Sequence, residues 1–219
     1  MFTGIIQAVG RVQSMRDAGG DRRLVITADA GFLHGVQLGD SIATQGVCLT
    51  AVELTATSFA ADVSGETLAH STLGSLRSGS EVNLEKALTL STPLGGHLVS
   101  GHVDGVGEVE ARWEDARSIR FRLRAPDTLA RYIAAKGSIT VDGISLTVNA
   151  IDGARFELNL VPHTVAVTTA KGWQPGVKVN LEVDVIARYL ERLLQGERAS
   201  KGAGGVSEKL LLRCGFGQR

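Results

Sequence analysis

The chain is poor in the features that would place it in several common classes. Its 219 residues include two cysteines, Cys48 and Cys214. Two thiols in dissimilar segments cannot build a disulfide framework, so a reducing, cytoplasmic setting is expected. Basic and acidic residues balance at 23 each and are interspersed, for a formal charge of zero. That leaves no electrostatic case for nucleic acid or an anionic membrane. No run approaches the roughly 18 apolar residues that a membrane span needs. The opening Met-Phe-Thr-Gly-Ile-Ile has no basic stretch ahead of a long apolar run, so no signal peptide is expected. Neither a GxGxxG nor a GxxxxGK pattern occurs, which removes the usual Gly-rich phosphate loops.

What is present is a repeat. Displaced against itself by 97 residues, the sequence matches without a gap from residue 2 to about residue 85. Gly4 falls on Gly101, Arg23 on Arg120, Gly46 on Gly143, Leu49-Thr50 on Leu146-Thr147, and Val82–Glu85 on Val179–Glu182. The matched residues are mostly Gly, Ser, Thr and Asn, types that set turns and touch ligands. A repeat this long is a duplicated domain, since solenoid repeats run to about 20–50 residues. Two copies of one domain predict two copies of one pocket.

Both copies read as β. Short apolar or alternating runs occur at Gly4–Val12, Leu24–Ala28, Ser41–Thr44, Cys48–Glu53, Ser58–Val63 and Glu81–Leu84. They recur at Val99–Val109, Ile119–Arg124, Ser138–Val141, Ser145–Ile151, Arg155–Leu160 and Lys178–Val183. Six short strands per copy, with turns every eight to twelve residues, argue for a small closed barrel or a sandwich. Short helical pieces are expected at Ala30–His34 and Thr128–Ala134. A longer helix, Val185–Gln195, places Ile186, Tyr189, Leu190 and Leu193 on one face. It either caps its own barrel or packs against the same helix of other subunits. The Gly-rich residues 197–219 read as a flexible tail in which Leu210–Leu212 could dock.

Three motifs carry chemistry. Gly46–Thr50 (GVCLT) and Gly143–Thr147 (GISLT) are equivalent by the repeat, and strand alternation points Cys48 with Thr50 and Ser145 with Thr147. A thiol in one copy facing a hydroxyl in the other means that the pockets diverged where a nucleophile or proton donor would sit. The plain alternatives are a small buried thiol and strand-edge hydrogen bonding. Gly95–Gly105 (GGHLVSGHVDG) offers bare backbone to a planar ligand. His97 and His102 with Asp104 invite a metal reading, but residues five apart on a strand face opposite sides, so no metal is expected. His102 reads as a pocket acid, base or donor, or else as a surface histidine. Asp62–Thr67 (DVSGET) and Asn159–Thr164 (NLVPHT) occupy equivalent strand-end loops, with polyol-binding types among ordinary turn residues.

Taken in order and in register, these motifs resemble the riboflavin synthase family over about residues 1–195. The carriers are MFTGII, GVCLT, GETL, VNLE, GGHLVSGHVDG, KGS, DGISLTVN, PHT and NLEVD. The resemblance implies an all-β fold: two tandem six-stranded Greek-key barrels from an internal duplication, then a C-terminal amphipathic helix. The expected divisions are 1–97 and 98–184 for the barrels, 185–196 for an oligomerisation helix, and 197–219 for the tail. The implied reaction is a dismutation, in which two 6,7-dimethyl-8-ribityllumazine molecules exchange a four-carbon unit to give riboflavin and 5-amino-6-ribitylaminouracil. It needs no cofactor. The implied partners are the lumazine substrate, two per site, and two further copies of the chain in a homotrimer. Lumazine synthase is also raised as a partner, on which the residues give no reading.

By matched position, the resemblance implies that Cys48, His102, Ser145 and Asp184 are catalytic, with Ser145 and Asp184 as a polar dyad. Thr50 and Thr147 would bond the ring nitrogens, Lys136 would hold a ring oxygen, and Phe2 would cover the ring face. Asp62, Glu66, Asn159 and His163 would hold the ribityl chain. Gly4, Ile5, Ile6, Leu49, Val63, Ser64, Gly65, Thr67, Gly101, Val103, Leu146, Leu160, Val161, Pro162 and Thr164 would complete the binding surfaces. Two readings compete. One is a non-catalytic lumazine- or flavin-binding chromophore protein, against which the presence of Cys48, His102 and Ser145 argues. The other is a flavin-binding reductase barrel, which would need a nucleotide-binding partner domain that this sequence does not contain.

Overall fold

The computed structural model describes residues 1–196; the expected tail, with Leu210–Leu212 and Cys214, lies outside the described residues. Two compact units divide the chain after Val185. The first unit holds both sequence copies.

Alternating apolar residues turn Val12, Leu24, Ile26, Phe59, Val82 and Leu84 inward to form the first core. The strands that carry them are β1 (Ala8–Ala18), β2 (Asp21–Thr27), β3 (Ser41–Thr44), β4 (Val47–Thr50), β5 (Glu53–Leu54), β6 (Ser58–Val63) and β7 (Glu81–Lys86). They are ordered β4-β3-β7-β1-β2-β6-β5. Strand β5 takes up pairing with β6 where β4 leaves off, and Val52 N donates to Ala60 O at 2.8 Å across the break. The second copy has β8 (Gly105–Asp115), β9 (Ser118–Arg124), β10 (Ser138–Val141), β11 (Ile144–Asp152), β12 (Arg155–Leu160) and β13 (Lys178–Val183), closed into a barrel. Here β11 is unbroken and β13 returns between β8 and β10, a Greek-key connection. Its core centres on Phe121, packed edge-on against Trp173 with ring centroids 5.3 Å apart.

Most strand boundaries fall where the pattern puts them, and the equivalent strands begin 97 residues apart. The exceptions are informative. The strands expected from Gly4 and Val99 begin only at Ala8 and Gly105 and run on to Ala18 and Asp115. The residues before them are diverted: Phe2 and Val99 form an antiparallel bridge, with Phe2 N donating to Val99 O at 2.7 Å and Val99 N donating back at 3.1 Å. Each diverted segment then turns at a glycine with positive φ, Gly4 (74°) and Gly101 (79°). The segments expected as strand-end loops contain short helices, α2 (Gly65–His70) and α3 (Pro162–Val167). Ser64 caps α2 by accepting from Thr67 N at 3.1 Å, and Pro162 opens α3. The expected helical pieces before β3 and β10 are present as α1 (Ala30–Leu33) and a 3₁₀ turn at Asp127–Tyr132.

Beyond the first unit the chain forms α4 (Val185–Leu194), with Ile186, Tyr189, Leu190 and Leu193 along one face as expected. Among the described residues no helix is long and apolar enough to cross a membrane.

Candidate active site

The two barrels meet through their equivalent hairpin turns. Gln45-Gly46 joins β3 to β4 with φ values of 50° and 81°, and Asp142-Gly143 joins β10 to β11 with 49° and 82°. Two consecutive positive φ angles are those of a type I′ hairpin, which needs no added strain at glycine. Around the turns the hydrogen bonds are reciprocal. Asn83 Nδ2 donates to Asp142 O at 2.9 Å, and Asn180 Nδ2 donates to Gln45 O at 2.8 Å. Asn180 Oδ1 accepts from Thr72 N at 2.7 Å, and Asn83 Oδ1 accepts from Thr169 N at 2.8 Å. Each bond has its counterpart in the other copy, which is a pseudo-two-fold axis written in side chains.

Crossing of the diverted segments brings residues of both copies together around Cys48 and around Ser145. Cys48 N, on β4 of the first barrel, donates to Gly101 O at 2.8 Å. Ser145 N, on β11 of the second, donates to Gly4 O at 2.8 Å. A Cβ added at Gly101 would lie 2.7 Å from Cys48 Cβ, and one at Gly4 would lie 2.6 Å from Ser145 Cβ. Glycine is required at both places by this close approach.

The result beside Cys48 is an open cleft of about 340 Å³, within the size range of small-molecule sites. Its walls bring together Cys48, Glu66, Thr67, Gly101, His102 and Val103, all of them expected site residues. Val47, His70, Ser71 and Asp104 also line it and were not among those expected. His70 and Ser71 follow from α2, whose last turn faces the cleft; the loop reading hid them. Leu49 and Val63 are buried in the first core behind this wall, and Thr50 ends β4 exposed opposite Ser41. Gly65 N donates to Asp21 Oδ1 at 3.2 Å.

Ser145 has a partner of its own. Its Oγ lies 2.7 Å from His97 Nδ1, while His97 Nε2 lies 3.2 Å from Thr140 Oγ1. Burial pushes the imidazole below its ordinary pKa of 6.5, and the charge of Asp184 partly offsets this. His97 is therefore neutral at neutral pH. A neutral ring with Nδ1 accepting from Ser145 and Nε2–H donating to Thr140 places a base against a hydroxyl. Cys48 shares its cleft with the other histidine, His102. The two histidines thus go to different reactive atoms, His97 to Ser145 and His102 to the cleft of Cys48.

Around Ser145, Gly4 is in backbone contact, Ile6 packs on the second core, and Ile5 is about half exposed beside Gly95. Leu146 is partly buried against the same core and Leu160 lies within it. Thr147 is exposed opposite Ser138, and Lys136 sits in a left-handed turn (φ 66°) with its N donating to Val148 O at 2.7 Å. Val161, Pro162, His163 and Thr164 form the start of α3. Gly96 covers the site so tightly that a Cβ there would stand 2.1 Å from Thr3 O and 2.9 Å from Ser145 Oγ.

Phe2, Asp62 and Asn159, also expected at the site, lie away from the cleft. Phe2 is wholly buried with Ala43 and Val99, and Cys48 packs against this cluster, so the ring backs the thiol and offers no free face. Asp62 is exposed on β6 and makes a two-pronged ion pair with Arg23 at 2.8 Å, with Glu53 on the same guanidinium. Asn159 occupies the equivalent exposed position opposite Arg120. Neither Asp62 nor Asn159 faces the interior, because residues 62 and 63, or 159 and 160, alternate across the strand.

Residues 3–87 and 100–184 each match the lumazine binding domain. A riboflavin synthase of Photobacterium phosphoreum is 48% identical over 216 residues, 99% of either chain. That of Bacillus subtilis (strain 168) is 39% identical over 216 residues, 99% of this chain and 100% of its own. The crystal structure of LumP complexed with riboflavin has a TM-score of 0.78 over 84% of this chain and 99% of that one, at 24% identity, a likeness of fold. Duplicated in sequence and in topology, the chain belongs to the riboflavin synthase family and carries two lumazine binding domains.

Proposed function

We propose that the protein is a transferase forming riboflavin by dismutation of two 6,7-dimethyl-8-ribityllumazine molecules, with 5-amino-6-ribitylaminouracil as the second product. The observation that carries this reading is the matched pair Cys48 and Ser145: equivalent strand positions, each clamped by a glycine carbonyl of the other copy, with different reactive atoms. Two identical reactants that play different parts call for two like pockets that are not identical. Near-half identity to riboflavin synthases along the whole chain supports the same reaction.

The chemistry asks little of the side chains. One lumazine loses a proton from its 7-methyl group, whose carbanion delocalises into the ring, and a hydroxyl or water adds at C7 of the other. A four-carbon unit then passes between them, so donor and acceptor balance and no external oxidant or reductant enters. Holding both rings in place removes an entropic barrier of up to roughly 7–11 kcal/mol. Ser145 with His97 supplies a hydroxyl beside a base, and Cys48 with His102 serves the other ring. Glu66 and Thr67, with His163 and Thr164 in the second copy, bind the ribityl hydroxyls, and Asp184 tunes His97.

Residues 1–97 and 98–184 act as two binding barrels, and productive sites form between subunits of a cytoplasmic homotrimer, where the first barrel of one meets the second barrel of another. The apolar face of α4 makes the trimer contact. Mixing the purified protein with the lumazine and measuring products tests the reaction: one riboflavin per two substrates consumed is expected. A protein that keeps the lumazine emission without conversion would instead be a chromophore binder, the role its likeness in fold to LumP would suit. A monomer in sedimentation that still turns over substrate would refute the shared site.

A further inference from the structure

At one repeat position both barrels bury a carboxylate, Glu85 on β7 and Glu182 on β13, and neither lines the cleft beside Cys48. Glu85 Oε1 accepts from Thr3 N and from Thr3 Oγ1, both at 2.6 Å, and its Oε2 accepts from Gly4 N at 2.9 Å. Glu182 accepts from Ser100 N at 2.6 Å, Gly101 N at 2.9 Å and His102 N at 3.0 Å. Burying a carboxylate costs far more than burying an amide or an apolar group. A carboxylate has one advantage here: it accepts several bonds and donates none, so it satisfies a run of converging N–H groups that an amide would partly repel.

The segments so held reach across the pseudo-two-fold axis. Thr3 O accepts from His97 N at 3.1 Å, and Gly4 O accepts from Ser145 N at 2.8 Å. Both acceptors sit in residues anchored by Glu85, yet they hold the backbone of His97 and of Ser145, the pair that meets at the second barrel. Conversely, Gly101 O accepts from Cys48 N, and His102 itself is bonded to Glu182. We infer that Glu85 and Glu182 are positioning residues that act crosswise, Glu85 setting Ser145 and His97 and Glu182 setting Cys48 and His102. The pockets of one chain are thereby interlocked: neither can be rebuilt without disturbing the strand that anchors the other. The inference rests on the proposed function for its catalytic meaning, but not for its geometry.

The test uses full-length protein with isotope-labelled histidine, the ring resonances of His97 and His102 being assigned from H97Q and H102Q. In E85Q the His97 signals should move and those of His102 stay; in E182Q the reverse should hold. With Cys214 replaced by serine, E182Q should change the rate at which Cys48 reacts with a thiol reagent, and E85Q should leave it unchanged. Riboflavin formation should fall about tenfold in each. T3V removes the hydroxyl that bonds Glu85 and accepts from Ile5 N, and S100A the Ser100 hydroxyl that assists Glu182; if a glutamine variant does not fold, these should give the same one-sided shifts. Shifts in both histidines with either variant, or in neither, would overturn the inference. Crosswise shifts in a protein that makes no riboflavin would leave the positioning intact and refute the reaction.

Discussion

Gly46 and Gly143 face each other so closely that a Cβ on Gly46 would stand 2.7 Å from the backbone N of Gly143, and one on Gly143 would stand 2.9 Å from that of Gly46. Real Cβ atoms do not approach backbone that closely, so the two hairpin turns define the distance between the barrels. They also lead directly into β4 and β11, where Cys48 and Ser145 lie one residue from the strand starts.

Alanine at either position should therefore push the barrels apart as well as strain a turn at φ near 80°. G46A and G143A should each destabilise the protein by roughly 2 kcal/mol or more. Urea unfolding measures the loss. Because both pockets depend on the same contact, either variant should weaken ligand binding at both sites, which a titration counting bound riboflavin per chain would reveal.

Cys48→Ser and Ser145→Ala remove reactive atoms without altering the backbone clamps on Gly101 O and Gly4 O. Turnover should drop by roughly a hundredfold to ten-thousandfold, the range expected when a positioned proton-transfer group is lost. Riboflavin affinity, followed by fluorescence, should change little. Unchanged turnover in both variants would strip these two residues of their proposed roles.

Much of the architecture was legible because the duplication doubled every signal. The strand pattern placed most strand ends to within a residue, though not those of β1 and β8, and the GVCLT and GISLT pair located Cys48 and Ser145 on matching strands. What stayed hidden is long-range. His97 belongs to the segment between the matched copies, 88–99, so no repeat equivalence pointed to it; its meeting with Ser145, 48 residues on, exists only in three dimensions. The crossing of Phe2 with Val99 likewise converts an expected strand start into a bridge and sinks Phe2 into the interior. Asp62 has a ligand-binding residue type, but its fate was decided by Arg23, which is its neighbour only across β2 and β6.

Proton transfer through His97 should show in the acid limb of kcat/KM. Burial lowers its pKa, so the neutral base survives to pH values below 6.5 before protonation shuts it off. The limb should therefore lie below 6.5 and should disappear in H97Q, whose rate is low throughout. Asp184 raises the pKa of His97 against the effect of burial. Replacing it by asparagine should move the limb to still lower pH. A limb unmoved by either change would assign the proton to another group.

Asp142 gives the barrel contact its own pH dependence. Wholly buried, it accepts from Asn180 N at 2.8 Å and Trp173 Nε1 at 3.0 Å, yet desolvation outweighs these donors and raises its pKa from 3.8 to about 7. The folded protein thus binds this proton more tightly than the unfolded chain does. The associated stability is complete below 3.8, declines as pH rises, and is gone above about 7. Three pKa units would correspond to as much as about 4 kcal/mol. The first copy places Gln45 at the equivalent turn position, so a neutral amide fits the surroundings on that side. D142N should consequently flatten the profile, losing less stability than the parent protein between about pH 5 and pH 8 when both are unfolded by urea at one protein concentration. Parallel profiles for the two proteins would mean that Asp142 stays ionised in the folded state throughout that range, held by Asn180, Trp173 and Gln45 despite its burial.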